Sequence, residues 1–123
     1  MVRQVRRYEV YLVNLDPTQG SEIQKTRPCV IVSPDEMNRY IHTVIIAPMT
    51  STQRDYPTRV NVVFQRKKGQ VVLDQIRTID KSRLIKRLGV LPELRSREVA
   101  SVLQEMFVYG DKQTGIGNIP SSP

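Results

Sequence analysis

Short runs of β-branched and aromatic residues, each broken by a turn-forming cluster before it can lengthen, constrain this chain more than any other feature of its sequence. Tyr8 to Leu15 is such a run and ends at the breaker Asp16-Pro17. Others follow at Cys29 to Ser33, Thr43 to Met49, Thr58 to Phe64, Gln70 to Ile79 and, as a short piece, Leu88 to Leu91, with Arg66-Lys67-Lys68-Gly69 reading as one of the turns. Strands this short and this closely spaced predict a compact barrel. A helical period emerges only at the end. Pro92 suits a first helical position, Val99, Val102, Leu103, Met106 and Phe107 fall on one face, and Gly110 is the expected stop.

The 123 residues are enough for one domain with its own core and too few for two. We assign residues 1–110 to that domain. The segment 111–123, with its Gly, Pro, Ser and Thr and little to bury, reads as a disordered tail because it cannot offset its ordering entropy. Between the first two strands, Pro17 to Arg27 is polar and aperiodic, as expected of a long mobile loop, and loops of that length are commonly functional. No internal repeat is visible.

Lys and Arg number 19 against 12 Asp and Glu, a formal net charge of +7, which favours a polyanionic partner. The single cysteine, Cys29, lies in the apolar run Pro28-Cys29-Val30-Ile31-Val32, so neither a disulfide nor a cysteine-based zinc site forms within one chain, and a reducing compartment fits. The charged start, Met1 to Arg7, is not followed by an apolar h-region, and no stretch approaches the ~18 apolar residues of a membrane span. The expectation is a cytoplasmic protein with no membrane partner.

Metal and cofactor chemistry find no ligands in the sequence. His42 is the one histidine, no cluster of Asp, Glu, His and Cys offers three or four ligands, and glycine-rich nucleotide loops are missing, so no cofactor is expected. Two-histidine RNA cleavage is equally unavailable, and His42 reads as a loop residue. What remains is arginine beside hydroxyls and carboxylates at strand ends: Glu22, Arg27, Thr50, Ser51, Gln75 and Arg77. Breaking RNA by its own 2'-hydroxyl needs a base near that hydroxyl, a donor for the leaving 5'-oxygen and positive charge on the phosphate oxygens, none of which requires a metal. Guanidinium suits the phosphate because it stays protonated and its fork makes paired, charge-assisted hydrogen bonds.

These residues stand in recognisable stretches. Asp16-Pro17-Thr18-Gln19-Gly20-Ser21-Glu22 followed by Thr26-Arg27-Pro28-Cys29-Val30-Ile31-Val32-Ser33 resembles the first strand, loop and second strand of MazF/PemK toxins. Ala47-Pro48-Met49-Thr50-Ser51 and Asp74-Gln75-Ile76-Arg77-Thr78-Ile79-Asp80-Lys81 are similar to two further family signatures, in the same order, and the resemblance spans Arg7 to Tyr109. It implies a mainly β fold with some α, an SH3-like small barrel of the CcdB/MazF toxin type with a C-terminal helix. It also implies a homodimer that cuts single-stranded messenger RNA at short sequences to leave 2',3'-cyclic phosphate and 5'-hydroxyl ends, and an acidic MazE-like antitoxin as partner. Arg27 and Thr50 fall on the family's catalytic arginine and threonine, Glu22 on a loop acid that acts in some members, and Ser51, Gln75 and Arg77 on RNA-contacting positions. On this reading Arg27 meets the phosphate charge, Thr50 orients, and Glu22 is a candidate base. Two rivals stand beside it: a CcdB-like toxin directed at gyrase without nuclease activity, and a non-catalytic RNA-binding barrel, for which five Tyr and two Phe offer few stacking residues.

Overall fold

A computed structural model describes residues 4–15 and 26–110. The strands are β1 (Glu9–Asn14), β2 (Thr26–Ile31), β3 (Thr43–Thr50), β4 (Arg59–Phe64), β5 (Lys67–Val72), β6 (Arg77–Asp80) and β7 (Leu84–Val90); the helices are α1 (Asp35–Tyr40) and α2 (Glu93–Phe107). All pairings are antiparallel, in the order β4-β5-β3-β2-β1-β7 with β6 also on β3. The sheet curls into a half-barrel carrying a C-terminal helix. Its two ends meet through side chains, with Gln65 Nε2 donating to the Leu88 carbonyl at 3.4 Å and the Phe64 ring lying 3.1 Å from where a Cβ on Gly89 would sit.

The curl begins in β3. One edge of this strand pairs with β2, whereas the other is divided, Thr43 to Ile46 against β6 and Met49 and Thr50 against β5. The stretch Gln70 to Ile79, expected as one strand, therefore breaks at a 3-10 turn over Leu73–Gln75 where the chain turns the corner. Composition hides that break, because both halves carry strand-forming residues. The apolar run of β2 is continuous because both faces of the sheet are covered. Val10, Val30, Ala47, Val71, Leu73 and Val99 meet on the α2 side, and Val13, Cys29, Ile31, Val44, Ile46 and Ile79 on the other. Each of these Val, Leu or Ile side chains contributes about 1.5–3 kcal/mol by leaving water.

Several boundaries differ from the sequence reading. β2 begins three residues earlier than Cys29, so Arg27 lies inside a strand, opposite Val13, and not at its junction with the loop. β7 extends back from the expected Leu88 to Leu84 through Lys86 and Arg87, whose polarity masks it. The short α1 has no apolar period to betray it. It is held by buried Asn38, which accepts from Ser33 Oγ at 2.5 Å, returns a bond to the Ser33 carbonyl at 3.0 Å and receives Lys81 Nζ on its own carbonyl. In α2, Val99 is buried and Val102, Leu103 and Met106 pack on the core, but Phe107 remains 69% exposed and the helix ends there, before Gly110. The segment 111–123 and the loop residues 16–25 lie outside the described residues.

The expected turn at Arg66 to Gly69 is displaced. Phe64 pairs with Lys67, leaving Gln65 and Arg66 as a two-residue hairpin loop with φ of 52° and 68°, while Lys67 to Gly69 belong to β5. Such turns favour Asn-Gly, since side chains with a full Cβ are strained at positive φ. Replacing Gln65-Arg66 by Asn-Gly should stabilise the protein by about 1 kcal/mol after loss of the long Gln65 hydrogen bond. A denaturant midpoint unchanged from wild type would contradict that strain.

Candidate functional site

The site is built on the facing ends of β2 and β3. Cys29 stands opposite Pro48, and two-residue alternation puts Arg27 on the face that also carries Cys29, Pro48 and Thr50. Arg27 is half-buried, and its Nη1 donates to the Met49 carbonyl at a long 3.4 Å, which brings the guanidinium to the residue beside Thr50. Thr50 Oγ1 accepts from the Thr52 amide at 3.1 Å, which fixes the hydroxyl oxygen and leaves its proton to be donated elsewhere.

Two residues of β5 hold this arrangement. Gly69 is buried where β5 closes on the end of β3, and a Cβ there would stand 2.7 Å from the Thr50 carbonyl oxygen. The buried Gln70 opposite Thr50 accepts from the Arg54 amide at 3.1 Å and donates to the Arg54 carbonyl and to Asn61 Oδ1, both at 2.9 Å. The segment after Thr50 is thereby tied to β4 and β5.

Arg27, Met49 and Thr50 form a ridge between two open clefts. The first, about 290 Å³, is bounded on its far side by Arg54, Arg59 and Gln75. The second, about 280 Å³, is bounded by Ser51, Phe64, Lys67 and Lys68. Arg59 is not a free cation, because its Nε and Nη2 fork onto Asp74 at 2.8 and 3.4 Å, and its hydrogen bond holds the Asp74 carboxyl below the usual carboxylate range. Arg27, Arg54, Lys67 and Lys68 leave the ridge cationic on both sides. Beneath it, burial pushes the Cys29 thiol up to about 12 although Arg27 and Arg77 pull the other way, so the thiol is protonated at neutral pH and is no nucleophile.

Of the residues expected from sequence, Arg27 and Thr50 come together on the ridge, with Gln75 on the first cleft and Ser51 on the second. Arg77 lines neither cleft; it stands in β6 opposite Ile46, with its charge felt at Cys29. Glu22 lies outside the described residues. His42 is exposed at the bend before β3, where its carbonyl accepts from the Lys81 amide. Sequence reasoning missed Arg54, Lys67, Lys68 and Gln70. The two lysines were visible as a basic cluster but read as a turn, and Arg54 sits in a polar stretch with no period. Among the described residues, no three of His, Cys, Asp and Glu gather in metal-ligating positions. A cationic ridge with a hydroxyl donor and a groove on either side is suited to hold one phosphodiester and lead the chain away in both directions.

Comparison with known proteins gives this geometry relatives. Residues 6–107 match the family described as PemK-like, MazF-like toxin of type II toxin-antitoxin system. The chain is 40% identical over 105 residues to "Endoribonuclease MazF" of Staphylococcus epidermidis, covering 80% of this chain and 88% of that protein. Among solved structures, MazF (Form-I) from Deinococcus radiodurans superposes with a TM-score of 0.71 at 25% identity, over 85% of this chain and 97% of the other. An endoribonuclease in complex with its cognate antitoxin, from mycobacterial species, gives a TM-score of 0.67 at 25% identity, over 84% and 92%.

Proposed function

Because this chain belongs to the PemK-like, MazF-like toxin family of type II toxin-antitoxin systems, we propose that it is an endoribonuclease that cuts single-stranded messenger RNA without a metal, by attack of the RNA's own 2'-hydroxyl. The observation that carries this reading is that Arg27, whose guanidinium bonds the Met49 carbonyl, and Thr50, the residue after Met49, share a ridge between two cationic clefts. In the step, the 2'-oxygen bonds to phosphorus while the bond from phosphorus to the 5'-oxygen breaks; the 2'-proton passes to a base and the 5'-oxygen takes up a proton. The products are a 2',3'-cyclic phosphate and a 5'-hydroxyl. Arg27 meets the charge that grows on the non-bridging oxygens, Thr50 orients the phosphate, and Glu22 is the candidate base. Ser51, Gln75 and Arg77 are assigned to RNA binding, the first two from opposite clefts.

The reading includes a homodimer, supported by apolar side chains left exposed at both ends of α2: Val90 and Leu94 at one, Phe107, Val108 and Tyr109 at the other. It includes an acidic antitoxin, supported by the +7 charge and by the antitoxin-bound relative. It places the protein in the cytoplasm with its substrate; among the described residues, no helix is long and apolar enough to cross a membrane. The relative named an endoribonuclease favours this over a gyrase-directed toxin.

Incubating the protein with a long RNA in EDTA and analysing the product ends tests the proposal. Cleavage is expected to persist, with cyclic phosphate and 5'-hydroxyl termini, because fixed cations supply what a metal would. Loss of cleavage on chelation, restored by Mg²⁺, would overturn it.

A further inference from the structure

The far wall of the first cleft holds an arrangement that phosphate binding does not use. Arg59 lines this cleft, yet its charge is spent on Asp74, which also accepts from Thr58 Oγ1 at 2.9 Å. Its side chain is only 9% exposed and cannot swing out to a new anion without abandoning that pair. The guanidinium instead supports a ring. Its Cζ lies 4.9 Å from the centroid of Tyr56, and the Arg59 amide donates to the Tyr56 carbonyl at 3.1 Å, so backbone and side chain both hold the tyrosine in place. Tyr56 nevertheless remains 50% exposed; it does not itself line the cleft but lies against Arg59, which does, and two residues beyond Arg54, which Gln70 anchors.

An aromatic ring backed on one side by a fixed, ion-paired guanidinium and open to solvent elsewhere is preorganised for stacking, since little further freedom is lost when a base lies on it. Resting on the ribonuclease reading above, we infer that Tyr56 is the stacking platform for a nucleobase flanking the cut bond on the Arg54–Gln75 side, with Arg59 and Asp74 as its positioning residues. Stacking tolerates every base, so the platform supplies affinity and register, and base identity is read by hydrogen-bonding neighbours such as Gln75.

The experiment uses the full-length protein and a short RNA containing a mapped cut site, in which each of the three nucleotides on either side of the bond is replaced in turn by an abasic ribonucleotide. Values of kcat/KM are compared for wild type, Tyr56→Phe, Tyr56→Ala and Tyr56→Leu; the leucine keeps an apolar cover over Arg59 without a ring. We expect one position at which the abasic substitution lowers wild type and Tyr56→Phe by roughly tenfold. Tyr56→Ala and Tyr56→Leu are expected to lose a similar factor on intact RNA and nothing more when that base is removed. Arg59→Lys, which keeps charge but not planar support, should lose part of the same factor at the same position only. Uniform losses with every abasic effect retained, or alanine and leucine variants within twofold of wild type on intact RNA, would overturn the platform while leaving the ribonuclease standing. If wild type cuts no RNA, the ribonuclease reading fails and the platform falls with it.

Discussion

Replacing Arg27 by alanine should lower the single-turnover rate of RNA cleavage by about 10² to 10³ while fold and most RNA affinity survive. The guanidinium sits on the ridge shared by both clefts, on the same sheet face as Thr50, and its hydrogen bond to the Met49 carbonyl is long. A donor so placed can shorten its contacts as charge accumulates on the phosphate oxygens, and losing it should cost roughly 2.7–4 kcal/mol of transition-state stabilisation, as for a lost oxyanion donor. Ground-state binding should fall much less, because Arg54, Lys67 and Lys68 line the same clefts. Fold should survive because Arg27 lies near the start of β2 and is only half-buried, with the apolar packing of that strand beginning at Cys29. Single-turnover cleavage at saturating enzyme checks this: a rate within about threefold of wild type would show that Arg27 does not act in the transition state.

Gly69→Ala is expected to damage stability and cleavage together, although it adds only one methyl group. The new Cβ would stand 2.7 Å from the Thr50 carbonyl oxygen, a backbone atom that cannot yield unless the end of β3 moves. Forcing a methyl group into so tight a contact costs about 1–3 kcal/mol, which for a domain of this size lowers Tm by about 5–15 °C. Because the displaced residue is Thr50, the cleavage rate should fall well below wild type even at temperatures where the variant is fully folded. Thermal melts and single-turnover assays at a temperature below both transitions separate the two effects. A variant melting within about 1 °C of wild type would mean that the two strands do not approach as closely as the structure shows.

Both predictions turn on residues whose importance was unevenly legible. Arg27 and Thr50 stood out as an arginine and a hydroxyl at strand ends, inside stretches resembling a known family. Gly69 was visible only as part of a basic turn, because a glycine required for close approach and a glycine required for a turn are the same letter. The hairpin turns instead at Gln65-Arg66, two residues that carry no turn signature. Tyr56 sat unremarked in a polar stretch, since nothing local foretells that Arg59 and Asp74, fifteen positions apart, will form a pair beneath it.

What the sequence by itself determined is whatever depends on neighbours along the chain. Alternation and β-branching set the strands from Tyr8 to Phe64, the helical period set the Val99 to Met106 face, and the excess of Lys and Arg set the preference for a polyanion. What only the tertiary structure decided is whatever depends on which edges meet. The division of β3 between β5 and β6 forces the 3-10 corner that breaks Gln70 to Ile79, and the pairing of Thr50 with Gln70 brings Gly69 against it. The curl of the sheet then sets Lys67 and Lys68 across one cleft from Arg27 and the Arg59–Asp74 pair across the other. Strand pairing over long sequence separations is selected by the burial of both sheet faces at once, and no local window of residues contains that information.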